Sequence, residues 1–548
     1  MEERAISIAA EASPPKDPAG FWCPVLHAHL PFVRHAEHEH FLEEDWLYEA
    51  VIETYLPLLR MMDDLDRDLV SFRLTMTLSP PLLAMLQDGL LMKRCARRIE
   101  ALLKLAAREV KRTATHDREL FEATLFAEQD LASLRELFHS TYRRDLVAAF
   151  AKHRAKGSLE IITCGATHGF LPLMRQTPEA VRAQIEVAVT DFRRIFGYQP
   201  EGIWLPECGY YEGVESFLLD AGLRFSFLES HGITDSVPTP RYGVLAPILS
   251  TRGIAFFGRD MESSRQVWSA EVGYPGDPEY REFYKDAGWE VPVKELLDFM
   301  KPHEPRRPVG LKRHRVTGKV GQHLKKPYVR AHAMERVRAH AAHFVEERLL
   351  QAERARGGME RPPLIVSPYD AELFGHWWFE GPQFIEQVFR NLASTPGLVP
   401  VTPPAYLARY DRCDVASPEM STWGADGYAE VWLNETNDWI YPHYDAAARR
   451  MIALANRHPD AQGLTRRALD QAARELLLAQ SSDWAFIMKM GTMVEYAHRR
   501  VIEHLRRFAD LASAIEGDRL DERAVKRYEK AWPVFPAIDY RVYATARA

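Results

Sequence analysis

Two acids in this chain have the surroundings that sugar chemistry needs. IWLPECGYYEG (203–213) places Glu207 between Pro206 and Cys208, with Trp204, Tyr210 and Tyr211 close by. A carboxylate delivered after an apolar run among aromatic rings suits a nucleophile: the rings contact a sugar's C–H face while the acid attacks the anomeric carbon. VSPYDAELFGHWWFEGP (366–382) supplies Asp370, with Glu372 as a competing acid and Trp377 and Trp378 beyond it. Glycoside chemistry with retention uses such a pair at roughly 5–5.5 Å, one acid attacking and the other alternating as acid and base. The acid/base must begin protonated, and both Trp rings and the charge of Glu207 would raise its pKa.

Three histidines accompany the acids. His27 and His29 stand at i and i+2 on an expected strand and share one face. His168, in CGATHGFLP (164–172), follows a second apolar run. Their types suit hydrogen bonds to a polar substrate, a structural role, or metal ligation, and the residues alone leave that choice open. The Pro- and Gly-rich loop 229–247 is expected to cover the site, with Tyr242 near its tip.

The elements that must position these groups are short apolar runs ending on polar residues: 24–30, 70–77, 159–168, 201–207, 222–229, 253–260 and 363–370. Seven such runs separated by helical patterns predict an α/β fold with a parallel barrel. Barrel active sites form at the strands' C-terminal ends. Here those ends carry His29, His168, Glu207, Glu229, Asp260 and Asp370. Residues 85–155 read as a helical insertion. KPHEPRRPVGLKRHR (301–315) reads as a solvated basic loop before a helix around 331–354. The β-runs stop after 395–406, and 443–513 is almost entirely helical. The expected division is a leader at 1–20, a catalytic barrel at 21–405, and a helical domain at 406–548 completing the cleft.

The 548 residues carry 70 Lys or Arg against 77 Asp or Glu, a net charge of −7, with 46% hydrophobic residues. That is a folded protein with no general attraction for nucleic acid. Five scattered Cys without a CxxC pair suit a reducing, cytoplasmic setting. The first twenty residues lack a signal-peptide pattern, and no window approaches ~18 uninterrupted apolar residues. Neither a membrane nor a nucleic-acid partner is expected, and a monomer is favoured.

Five segments together resemble glycoside hydrolase family 57, in that family's order: HAHLPF (27–32), GATHGFLP (165–172), WLPECGY (204–210), SPYDAELFGHWW (367–378) and SSDWAFIMKMGTMVEYA (481–497). Residues 257–288 and 373–382 look most like its members that branch 1,4-α-glucans. The resemblance implies a distorted, TIM-like (β/α)7 barrel with a helical insertion and a helical C-terminal domain. It implies a retaining double displacement on an α-1,4-glucan, with no cofactor or metal. Glu207 becomes the nucleophile and Asp370 the acid/base. His27, His29 and His168 would line the donor-sugar site, and Arg259, Gly276, Trp423 and Asp483 would touch substrate. Read from their own surroundings, Arg259 equally suits pairing with a neighbouring acid, Gly276 a turn, and Asp483 a helix cap. An α-amylase or 4-α-glucanotransferase would share both carboxylates. A metal-dependent deacetylase using the three histidines and a glucan-binding protein without turnover are the more distant alternatives.

Overall fold

The computed structural model describes residues 18–115, 117–269 and 273–545; nearly all of the expected leader lies outside them. Seven strands run parallel: β1 (Gly20–Ala28), β2 (Leu74–Leu78), β3 (Leu159–Cys164), β4 (Ile203–Trp204), β5 (Phe225–Leu228), β6 (Ala255–Gly258) and β7 (Leu364–Asp370). Each falls within or overlaps one of the seven apolar runs. β1 pairs with β2 and β7, β2 with β3, β3 with β4, and β5 with β6. A bridge between Gly202 and Phe225 joins β4 to β5, and the Asp260 N–H donates to the Val366 carbonyl across β6 and β7 (2.8 Å). These contacts close a (β/α)7 ring. Gly202 is glycine because a Cβ there would lie 2.3 Å from the Phe225 ring.

Alternation along the strands decides which groups face the interior. Phe21, Cys23 and Val25 of β1 and Leu364 and Val366 of β7 join one buried cluster inside the barrel with Ile162, Trp204 and Phe257. Trp22 points outward and packs edge-on against Phe344. Continuing the inward parity brings His27 and Asp370 to the barrel's upper end, where they are register partners. Strands buried on both faces read as unbroken apolar runs, as all nine buried residues of β1 do.

The expected insertion is present as helices Gly89–Thr113, Arg118–Glu136 and Leu146–Ala155. Asp88, Asp117 and Asp145 cap them by accepting backbone N–H bonds. The basic segment departs from expectation. Its first half is largely solvated, but Lys312 and Arg313 are buried. Lys312 pairs with Glu53 at 3.0 Å, and Arg313 with Glu109 at 2.6 Å and Glu290 at 2.9 Å. Buried charge requires such partners, and two of these three come from helical segments far earlier in the chain.

The C-terminal region is helical at Ile440–Arg457, Gly463–Ala479, Ser482–Met490, Val494–Glu516 and Glu522–Ala531. Its apolar faces belong to the same continuous core as the helices around the barrel. No helix among the described residues is long and apolar enough to cross a membrane.

Candidate active site

Glu207 follows β4 in a tight turn with φ +62° and ψ +25°, a left-handed conformation uncommon for a side-chain-bearing residue. The Trp423 N–H donates to the Glu207 carbonyl (3.0 Å), and Cys208 N–H to that of Leu205 (2.9 Å), so the turn is fixed from two sides. The carboxylate is 13% exposed. Oε2 accepts the Trp423 indole N–H and Oε1 the Ser482 hydroxyl, each at 2.9 Å. Burial raises the pKa of Glu207, while these two donors work against the rise.

The order of donors continues behind Ser482. Its Oγ lies 2.8 Å from His168 Nδ1, and His168 Nε2 lies 3.0 Å from His27 Nε2. Burial pushes both imidazoles well below the usual histidine range, so they are neutral. With Ser482 donating to Glu207, it accepts from His168 Nδ1–H, and His168 Nε2 then accepts from His27. The hydrogen-bond chain therefore points toward the carboxylate. His29 stacks on His168 with centroids 3.8 Å apart. It lies 2.8 Å from the Ser79 hydroxyl and 3.0 Å from Asp483 Oδ2. Burial pushes Asp483 up, but the His29 charge and hydrogen bond outweigh it and hold the acid down at about 2. Asp483 makes no cap to its helix; Ser481 occupies the N-cap position.

Asp370 ends β7 beside His27. Burial first, then the charges of Glu372 and Glu207, push its pKa well above the usual carboxylate range, and Arg259 opposes them. Glu372 is itself raised to about 6 by burial, with its carboxyl accepting the Tyr55 hydroxyl. Of the expected pair, Asp370 is thus the stronger proton holder. Arg259 pairs with Glu229 at 2.9 Å and donates to Ser264, with its guanidinium 6.0 Å from the Trp423 ring. Asp260 caps helix Met261–Trp268. Trp204, Trp423 and Trp268 form a ring series, with centroid separations of 4.9 and 6.5 Å.

Eight of the ten expected site residues are brought together at or near the strands' upper ends; Tyr242 is not. Its hydroxyl accepts the Glu360 N–H at 3.4 Å, and its ring lies between Arg241 and Arg361. Those partners precede β7, whose far end carries Asp370, so at ~3.3 Å per residue Tyr242 is on the order of 20 Å from the acids. Loop 229–247 folds back along the barrel because Ile248–Leu249 pairs antiparallel with β6 and Arg241 is tied to Asp414. Gly276 is exposed in the turn Tyr274–Gly276, which packs on helix Met261–Trp268. Ser482 and Ser79 are the polar groups that sequence reasoning passed over as site members. Ser482 is adjacent to Asp483, and Ser79 follows β2 just before two prolines, so both carried a positional signal.

Ligand atoms of His29, His168 and Asp483 lie within 4.8 Å of one another, as do those of His27, Cys164 and His168. The donor chemistry suits a metal poorly. His27 and His168 spend facing Nε2 atoms on each other, and burial pushes the Cys164 thiol well above its ordinary range.

A barrel with two acids at its mouth, one favouring the proton and one held by donors, suits glycoside chemistry. The chain belongs to glycosyl hydrolase family 57: that family's model matches residues 24–410, and a model described as "1,4-alpha-glucan branching enzyme, C-terminal" matches 443–543. A 1,4-alpha-glucan branching enzyme of Thermococcus kodakarensis is 35% identical over 533 residues, covering 90% of this chain and 74% of the relative. Among solved structures, the alpha-amylase AmyC of Thermotoga maritima is similar with a TM-score of 0.91 at 41% identity, covering 96% of this chain and 100% of that one. A branching enzyme of Pyrococcus horikoshii gives 0.85 at 31% identity, with 96% and 97% covered.

Proposed function

We propose that this protein is a 1,4-α-glucan branching transglycosylase, with Glu207 as nucleophile and Asp370 as acid/base. The observation that carries the reading is that Ser482, inside the region matched by the branching-enzyme C-terminal model, donates directly to Glu207. The helical C-terminal region, which we place at 406–548, thereby completes the site on the barrel.

Glu207 attacks C1 of an α-1,4-linked glucose as Asp370 gives its proton to the departing O4, and a glucosyl ester forms. Asp370, now ionised, takes the proton of an acceptor's 6-hydroxyl. The acceptor O6 attacks C1, the ester C–O bond breaks, and Glu207 is released with an α-1,6 branch made. Two inversions give net retention. His29, His168 and Asp483 line the donor side, and Trp423 both holds Glu207 and offers its ring to sugar. The product is a branched glucan of the glycogen type, made in the cytoplasm.

An α-amylase is the second reading, favoured by the likeness to AmyC. Incubating amylose with wild type and Glu207→Gln, and counting α-1,6 linkages and new reducing ends, separates the two. Branching predicts α-1,6 linkages with few reducing ends, both lost in the variant. Reducing ends without branches favour the amylase, and activity surviving the substitution would overturn the site.

A further inference from the structure

The chain leaves Asp370 through a 3-10 turn, Ala371–Leu373, and then doubles back. Gly375 N–H donates to the Trp378 carbonyl at 2.7 Å, and Trp377 N–H to that of Glu372 at 3.1 Å. The two adjacent indoles have opposite fates. Trp378 is 1% exposed, packed against Tyr280 and Phe384, whereas Trp377 is 52% exposed. Trp377 lies nearly parallel on Phe283, centroids 4.4 Å apart. Phe283 is held in turn by the Lys312 ammonium, 4.5 Å from its centroid, and by the edge of His376, which is bonded to Glu53 at 2.6 Å. Tyr284, 68% exposed, stands edge-on to Phe283. The three rings form a rigid, open ledge within two tight turns of the acid/base. The Trp204–Trp423–Trp268 series is instead tied to Glu207 through Trp423.

We propose that Trp377, with Phe283 beneath it and Tyr284 beside it, binds the acceptor glucan and so sets the balance between α-1,6 transfer and hydrolysis. The proposal rests on the branching reading. An exposed ring pinned from behind by another ring offers a flat apolar face at little entropic cost, and a glucose unit presents a matching C–H face. A chain lying there approaches from the Asp370 side, where its 6-hydroxyl loses its proton as O6 attacks C1 of the ester on Glu207. Without an acceptor on the ledge, water takes that place and the ester is hydrolysed.

The test is Trp377→Ala and Trp377→Phe on amylose, with α-1,6 linkages and reducing ends counted in one time course. The alanine variant is expected to lower the ratio of linkages to reducing ends roughly tenfold. It should also raise the acceptor concentration needed for half-maximal branching, and phenylalanine should restore much of the ratio. Tyr284→Ala, at a ring that is mostly exposed, should move the ratio the same way by less, and provides the readout should Trp377→Ala misfold. An unchanged ratio in all three variants overturns the ledge while leaving the branching reading intact. A wild type that forms no α-1,6 linkages overturns both.

Discussion

Glu207 holds its charge in a buried setting because Trp423 and Ser482 donate to it. Trp423→Phe keeps a ring and deletes one of those donors. A hydrogen bond to a charged group contributes about 1.5–3 kcal/mol, so kcat/KM is expected to fall by roughly ten- to a hundredfold. The lost donor had lowered the pKa of Glu207, so the acid limb of the pH–rate profile should move to higher pH; a fixed limb would remove Trp423 from the ionisation of Glu207. Asp370 presents the opposite case. Its pKa is raised in the folded state, so the native protein binds that proton more tightly than the unfolded chain. The stability this confers is complete below the ordinary carboxylate pKa and is lost as pH rises through the raised value. Asp370→Asn is expected to abolish catalysis and to remove that loss. Urea unfolding should show the variant more stable at pH 7 by roughly 1 kcal/mol, with the difference closing toward acid pH.

The turn after β7 depends on a single glycine. Gly375 has φ +111°, and a Cβ there would lie 1.8 Å from the Glu53 carbonyl oxygen. Gly375→Ala is expected to destabilise the protein by on the order of 3 kcal/mol, read from the urea midpoint, and to lower branching because Trp377 moves with the turn. The strands themselves were legible from the sequence, since each apolar run with a polar terminus is the local signature of a strand buried on both faces. Loop 229–247 shows what was not. Its Pro and Gly content marks a surface segment correctly, but composition does not say which end of a barrel a loop faces. The pairing of Ile248–Leu249 with β6 and of Arg241 with Asp414 decides that. The basic segment was misread for a related reason: Lys312 and Arg313 read as solvated until Glu53 and Glu109, more than 200 positions away, are brought beside them.

At the scale of the molecule, the apolar core runs without a break from the helices around the barrel to those after Ile440. Heat should therefore unfold the chain in one calorimetric transition; two separated transitions would show that the C-terminal helices form a body of their own. Both acids of the proposed pair stood out in the sequence because each sits in a local motif. The hydrogen bonds that tune Glu207 were not, because its donors follow it by 216 and 275 positions. That spacing also governs the protein's birth. A ribosome adding ~5–20 residues per second completes the barrel's last acid many seconds before Ser482 is made. Until then the nascent chain carries both carboxylates and one of the two donors at most. A chain that has passed Asp370 but not Ser482 thus holds both acids without their full set of donors, and the site is complete only when synthesis is nearly finished.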